Sequence, residues 1–187
     1  VMPSWALIAG QIISYASGLP LILVTTFGLL TYLSRSGIKW DLASALLVTG
    51  VFGWSAGTMP AVLDGMVVVN KVMHNTLWVP GHFHMYLLIG QVAMAWGFMA
   101  WLTRGKAVER LSGADYFGFA IYLAGGLGVT IGFLAAGAAS IPRRWAVHAA
   151  EWMPHDRVAI VFAVAVLLGA GLFFARFVGR VLTTQQE

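Results

Sequence analysis

Long apolar runs separated by short polar clusters repeat along the whole of this chain. Five runs carry almost no charge: Pro3 to Leu33, Leu42 to Leu63, Gly81 to Leu102, Tyr116 to Ser140 and Val158 to Val178. Each is long enough to cross a hydrocarbon core, which takes about 20 apolar residues in a helix. The pattern therefore predicts an all-α membrane protein with five transmembrane helices. Glycines inside the runs fit that reading, because membrane helices tolerate them. The connections are short, at Ser34 to Asp41, Asp64 to Pro80, Thr103 to Asp115 and Ile141 to Arg157, and no soluble domain is left over. The whole of residues 1–187 reads as one transmembrane region.

Composition agrees: 59% of residues are hydrophobic and 10% charged, and mean hydropathy is +0.82. The net charge of +4 sits in short patches between spans, which is how topology signals are arranged, so nucleic acid is excluded as a partner. Five spans put the two ends of the chain on opposite faces. One face collects seven basic residues, Arg35, Lys39, Arg104, Lys106, Arg110, Arg176 and Arg180, and the other four, Lys71, Arg143, Arg144 and Arg157. The positive-inside rule makes the first face cytoplasmic and predicts a cytoplasmic C-terminus. His74, His82, His84, His148 and His155 then all fall toward the outer face. Val1 is not methionine and the first span begins at once, so the chain is expected to be a fragment of a longer subunit.

Chemistry is concentrated in "VPGHFHMY", Val79 to Tyr86. Pro80 suits the first turn of the third span, and the histidines follow just inside it. Residues two apart on a helix point about 200° from each other, so His82 and His84 cannot share one metal ion. They imply two separate centres, one on either side, with Phe83 between. Two haems flanking one helix meet that geometry, each iron taking one axial imidazole within a large apolar pocket. The competing reading is a pair of buried neutral histidines hydrogen-bonded to neighbouring helices. With no cysteine in the chain, a thiolate site is excluded.

"VMHNTLWVPGHFHMY" (Val72 to Tyr86) with "SIPRRW" (Ser140 to Trp145) resembles the tenth helix and the eleventh-to-twelfth loop of subunit I of haem-copper terminal oxidases, most closely the B-type (ba3-like) branch. The resemblance covers the whole chain, as the C-terminal part of a twelve-helix core. It implies that His82 is the axial ligand of a high-spin, oxygen-binding haem and the catalytic position. His84 would be one axial ligand of a low-spin haem, with Phe83 between the two haems. Arg143 and Arg144 match an arginine pair at the haem propionates, where guanidinium forks pair with carboxylates; the competing reading is an ordinary interfacial pair. His74 matches a histidine near the propionates and, in other branches, near a magnesium ion. An aspartate follows it there; Asn75 stands here, so one hard anionic ligand is missing. Asn70 stands where the family often has a carboxylate. Asp64 is read as a helix-end carboxylate, with a proton-accepting role as the alternative, and His148 and His155 as interfacial loop residues.

On the first span the resemblance implies a hydroxyl-based proton path through Thr25, Thr26 and Tyr32, in place of the lysine of mitochondrial-type relatives. The alternative is that such hydroxyls bond back to their own helix. The family's copper ligands, and the second low-spin haem ligand, come from helices absent here. The implied function is the C-terminal portion of the catalytic subunit of a respiratory cytochrome c oxidase, reducing oxygen to water and translocating protons. Its cofactors would be two haems and copper held by histidines outside this chain. Its partners would be the rest of subunit I, a copper-bearing subunit II, a cytochrome c or cupredoxin donor and the lipid bilayer of a prokaryotic plasma (inner) membrane. The alternatives are a nitric oxide reductase of the same superfamily, with non-haem iron in place of copper; a non-catalytic haem-binding electron-transfer subunit; and a transporter with polar midplane helices. Acidic residues near the metals would favour the reductase, and the spans have almost none.

Overall fold

The computed structural model describes residues 3–104 and 111–184. Lys106 and Arg110, both used in the charge count, lie outside the described residues. Six helices form among the described residues: α1 Ser4–Arg35, α2 Leu42–Asp64, the short α3 Val67–Met73, α4 Trp78–Leu102, α5 Gly113–Ala138 and α6 Met153–Thr184. All but α3 are long and apolar enough to cross a membrane. The third of these spans, α4, has two α-helical segments, Trp78–His84 and Ala93–Leu102, joined by π-helical turns over Met85–Val92.

Several ends differ from the apolar runs for identifiable reasons. α4 starts at Trp78 rather than Gly81, because Pro80 lies in a first turn where its missing N–H breaks no helical bond. α5 starts at Gly113, where Ser112 and Asp115 form a capping box, and α6 starts at Met153 with Asp156 in its first turn. Charge at these positions strengthens a helix start instead of ending the helix. α5 stops at Ala138 because Ser140 takes the left-handed backbone region, with φ of 63°. α2 is capped by Asp41, whose carboxylate accepts from the Ser44 N–H at 2.7 Å and pairs with Arg104 at 3.3 Å. Burial alone would raise the Asp41 carboxyl, but the Ser44 and Arg104 contacts hold it below the usual carboxylate range.

The helices pack as chain neighbours: α1 on α2, α2 and α5 on α4, and α6 on α5. Small residues allow the approach, as in other membrane helices. A Cβ on Gly53 of α2 would lie 2.6 Å from the Ile89 carbonyl oxygen and the Gly90 nitrogen, so α2 touches the π-helical backbone directly. From another neighbour, the fully buried Tyr122 of α5 donates its hydroxyl to the Leu88 carbonyl and packs on Phe173 of α6. Tyr122→Phe leaves that carbonyl without its cross-helix donor and is expected to destabilise by about 0.5–2 kcal/mol. Thermal unfolding of the complex is the check, and an unchanged midpoint would show that the bond contributes nothing.

Candidate functional site

The two histidines of α4 face different neighbours. His84 meets Phe133 of α5 edge-on, with ring centroids 5.2 Å apart. His82 meets Tyr86, one turn on, at 6.3 Å and 88°. Tyr86 in turn packs on Trp54 of α2 and donates to the Thr58 hydroxyl at 3.2 Å. His84 thus belongs to the α5 side and His82 to the α2 side, while Phe83 between them is 54% exposed. Among the described residues, no three His, Asp or Glu side chains are grouped so as to hold one metal ion.

The His84 ring has a defined tautomer. Its Nδ1 lies 2.6 Å from the Pro80 carbonyl oxygen, which can only accept, so Nδ1 carries a proton, and in the neutral ring Nε2 keeps its lone pair. A metal-binding imidazole is usually held in this way, by a second partner on the other nitrogen. His84 also lines an open cavity of about 530 Å³ between α4, α5 and α6, walled by Leu88, Val129, Phe133 and Val166 among others, with Asp156 also in the lining. The size falls within the range of cofactor pockets, about 300–1,000 Å³. His82 is half-buried, with its Nδ1 sealed from solvent and the Trp78 backbone, one turn back, beside the ring.

The arginine pair is brought to the same end by backbone pairing. The Leu77 N–H donates to Ile141 O and the Arg143 N–H to Asn75 O, both at 2.9 Å, around a single antiparallel bridge between Thr76 and Pro142. This ladder fastens the loop after α5 to the residues that lead into α4. Arg144 is exposed and holds φ of 67°, a conformation that costs a non-glycine residue free energy and persists only where neighbours enforce it. The Arg143 Nε is buried without a partner. At the other end of the bundle arginines are paired instead, Arg104 with Asp41 and Arg176 with Asp115.

The remaining residues are more scattered. His74 is exposed at the end of α3, and Asn70 donates its side-chain N–H to the Asp64 carbonyl at 3.0 Å and carboxylate at 3.3 Å. Thr25 and Thr26 are half-buried and Tyr32 is 59% exposed, on a helix that packs against α2 and α3. Ser17 on that helix does bond back to the Ile13 carbonyl, at 2.9 Å. One partnership escaped the sequence reading: His148 Nδ1 lies 2.7 Å from the Asp156 carboxylate, joining the arginine loop to the first turn of α6. The acid in the first turn of the last helix was the one available signal.

Residues 1–174 match the family described as cytochrome c and quinol oxidase polypeptide I. A cytochrome c oxidase subunit 1 of Thermus thermophilus is 29% identical over 159 residues, covering 80% of this chain and 28% of that protein. A second Thermus thermophilus protein of the same name is 29% identical over 79 residues, covering 42% of this chain and 73% of the relative. A cryo-EM structure of a heme-copper terminal oxidase dimer superposes with a TM-score of 0.79, covering 97% of this chain and 37% of that one at 18% identity. The last likeness is one of fold. The chain spans little more than a quarter of the first relative's length.

Proposed function

The chain belongs to the cytochrome c and quinol oxidase polypeptide I family, and we propose that it is the C-terminal part of the catalytic subunit of a respiratory oxidase, with His82 and His84 each ligating one haem. The observation that carries this reading is the pair of imidazoles two residues apart on one helix, facing different neighbours, with the His84 Nδ1 tied to Pro80. The residues present fit haem chemically. His84 keeps a free Nε2 beside a cavity of cofactor size, and Arg143 has a buried N–H without an acceptor at the end where propionates would need one.

When bound, the haems supply redox-active iron, and the high-spin haem with copper from outside this chain supplies the reduction of oxygen to water. The chain's own part is ligation, spacing and charge. The Pro80 carbonyl fixes the tautomer and angle of His84. Phe83 separates the two ligands along the helix. The Thr76–Pro142 bridge holds Arg143 and Arg144 where they can pair bidentately with carboxylates. Thr25, Thr26 and Tyr32 are proposed as proton-passing hydroxyls on α1, with uptake from the cytoplasm. Electrons come from a cytochrome c or cupredoxin by way of a copper-bearing subunit.

The test is the reduced-plus-carbon-monoxide minus reduced spectrum of the full complex, native beside His82→Ala. Loss of the carbon monoxide signal with the low-spin band retained is expected. An unchanged signal would remove His82 as the oxygen-side ligand and overturn the reading.

A further inference from the structure

Asp156 is the one carboxylate lining the cavity that His84 also lines, and apart from these two residues its lining is apolar. The carboxylate is 23% exposed and sits in the first turn of α6, where the helix end favours negative charge. On its other side His148 approaches at 2.7 Å, and His148 is itself held edge-on by Trp152, which Trp145 holds in turn. The pair therefore places a carboxylate, hydrogen-bonded to an imidazole, in the lining of an otherwise apolar space, where Coulomb interactions are stronger than in water.

We infer that the His148–Asp156 pair sets the reduction potential of the group bound at His84, Asp156 as a fixed negative charge and His148 as the partner that offsets it. The inference rests on the haem assignment of His84 above. A negative charge near the iron stabilises the ferric form, which carries one more positive charge than the ferrous form, and so lowers the potential. Hydrogen bonding from His148 draws part of that charge away from the cavity. The two residues consequently act with opposite sign.

The experiment is a spectroelectrochemical titration of the low-spin haem in the full complex. Asp156→Asn, which keeps the side-chain shape, raises the midpoint potential. His148→Ala, which leaves the carboxylate uncompensated, lowers it, and His148→Asn, which keeps a short donor, restores it toward the native value. The double variant His148→Ala with Asp156→Asn follows Asp156→Asn, because without the carboxylate His148 has nothing to offset. Shifts of one sign in both single variants, or no shift in either with the low-spin band intact, would overturn the inference. A native complex with no low-spin haem would instead overturn the reading it rests on.

Discussion

If His84 is the haem ligand proposed above, substituting it with alanine is expected to remove the low-spin haem from the assembled complex, and with it electron entry to the proposed oxygen-reducing centre. The expected loss of turnover exceeds the roughly 10–100-fold that follows removal of a partner behind a metal ligand, because here the ligand itself goes. The reason lies in the first two turns of α4. Pro80 can only accept at its carbonyl, the His84 Nδ1 donates to it, and Nε2 is left to bind the proposed iron. Alanine has no lone pair to offer, and the cavity beside it supplies only hydrocarbon and one carboxylate. Haem extraction should give a haem-to-protein ratio near half the native value, and the dithionite-reduced spectrum should lose its low-spin band. Carbon monoxide binding on the His82 side should remain, the mirror image of His82→Ala. A variant with both haems and an intact low-spin band would show that the axial nitrogen lies elsewhere.

Gly137→Val is expected to prevent the folded oxidase from accumulating. A Cβ at Gly137 would fall on the backbone of Trp78, the first residue of α4, with its Cα only 2.5 Å away. Backbone cannot rotate aside as a side chain does, so α5 or the start of α4 must move. Gly81, one turn into α4, is already against α5, where a Cβ would stand 2.8 Å from the Leu134 nitrogen, so the helix has no slack on that face. Overpacking a core typically costs about 1–3 kcal/mol, and a clash with backbone at two crossing helices belongs at or above the upper end. Any displacement also carries His82 and His84 with it, since both lie on the same short helical segment as Trp78. Detergent-solubilised yield by size exclusion, together with haem content, is the measurement. Native yield with native spectra would mean that α5 can draw back from α4 at no cost.

Much of this is legible in the chain because it depends on properties that are local. A run of apolar residues long enough for a bilayer needs no partner to be recognised, and all five runs correspond to helices. Helical period alone sends His82 and His84 to different sides, and they do meet different neighbours. The ends are less legible, because a charge inside a helix start looks like a boundary. Asp115 and Asp156 both sit inside helix starts, and their carboxylates act as caps and dipole partners there.

What only the tertiary structure decided are relations between residues on different elements. The π-helical turns of α4 lie where Gly53 of α2 and Tyr122 of α5 contact its backbone from two sides, and no pattern within Met85–Val92 announces them. The arginine loop reaches the histidine end through the hydrogen bonds of Leu77 with Ile141 and Arg143 with Asn75, pairings that have no periodicity to read. His148 and Asp156, only eight residues apart, become a hydrogen-bonded pair beside the cavity through the course of the loop that leads into α6. Span length and helix face are properties of a single segment and its solvent, so the sequence determined them by itself. Orphaned N–H groups and charge placement depend on which backbone or side chain arrives from elsewhere, so packing decided them.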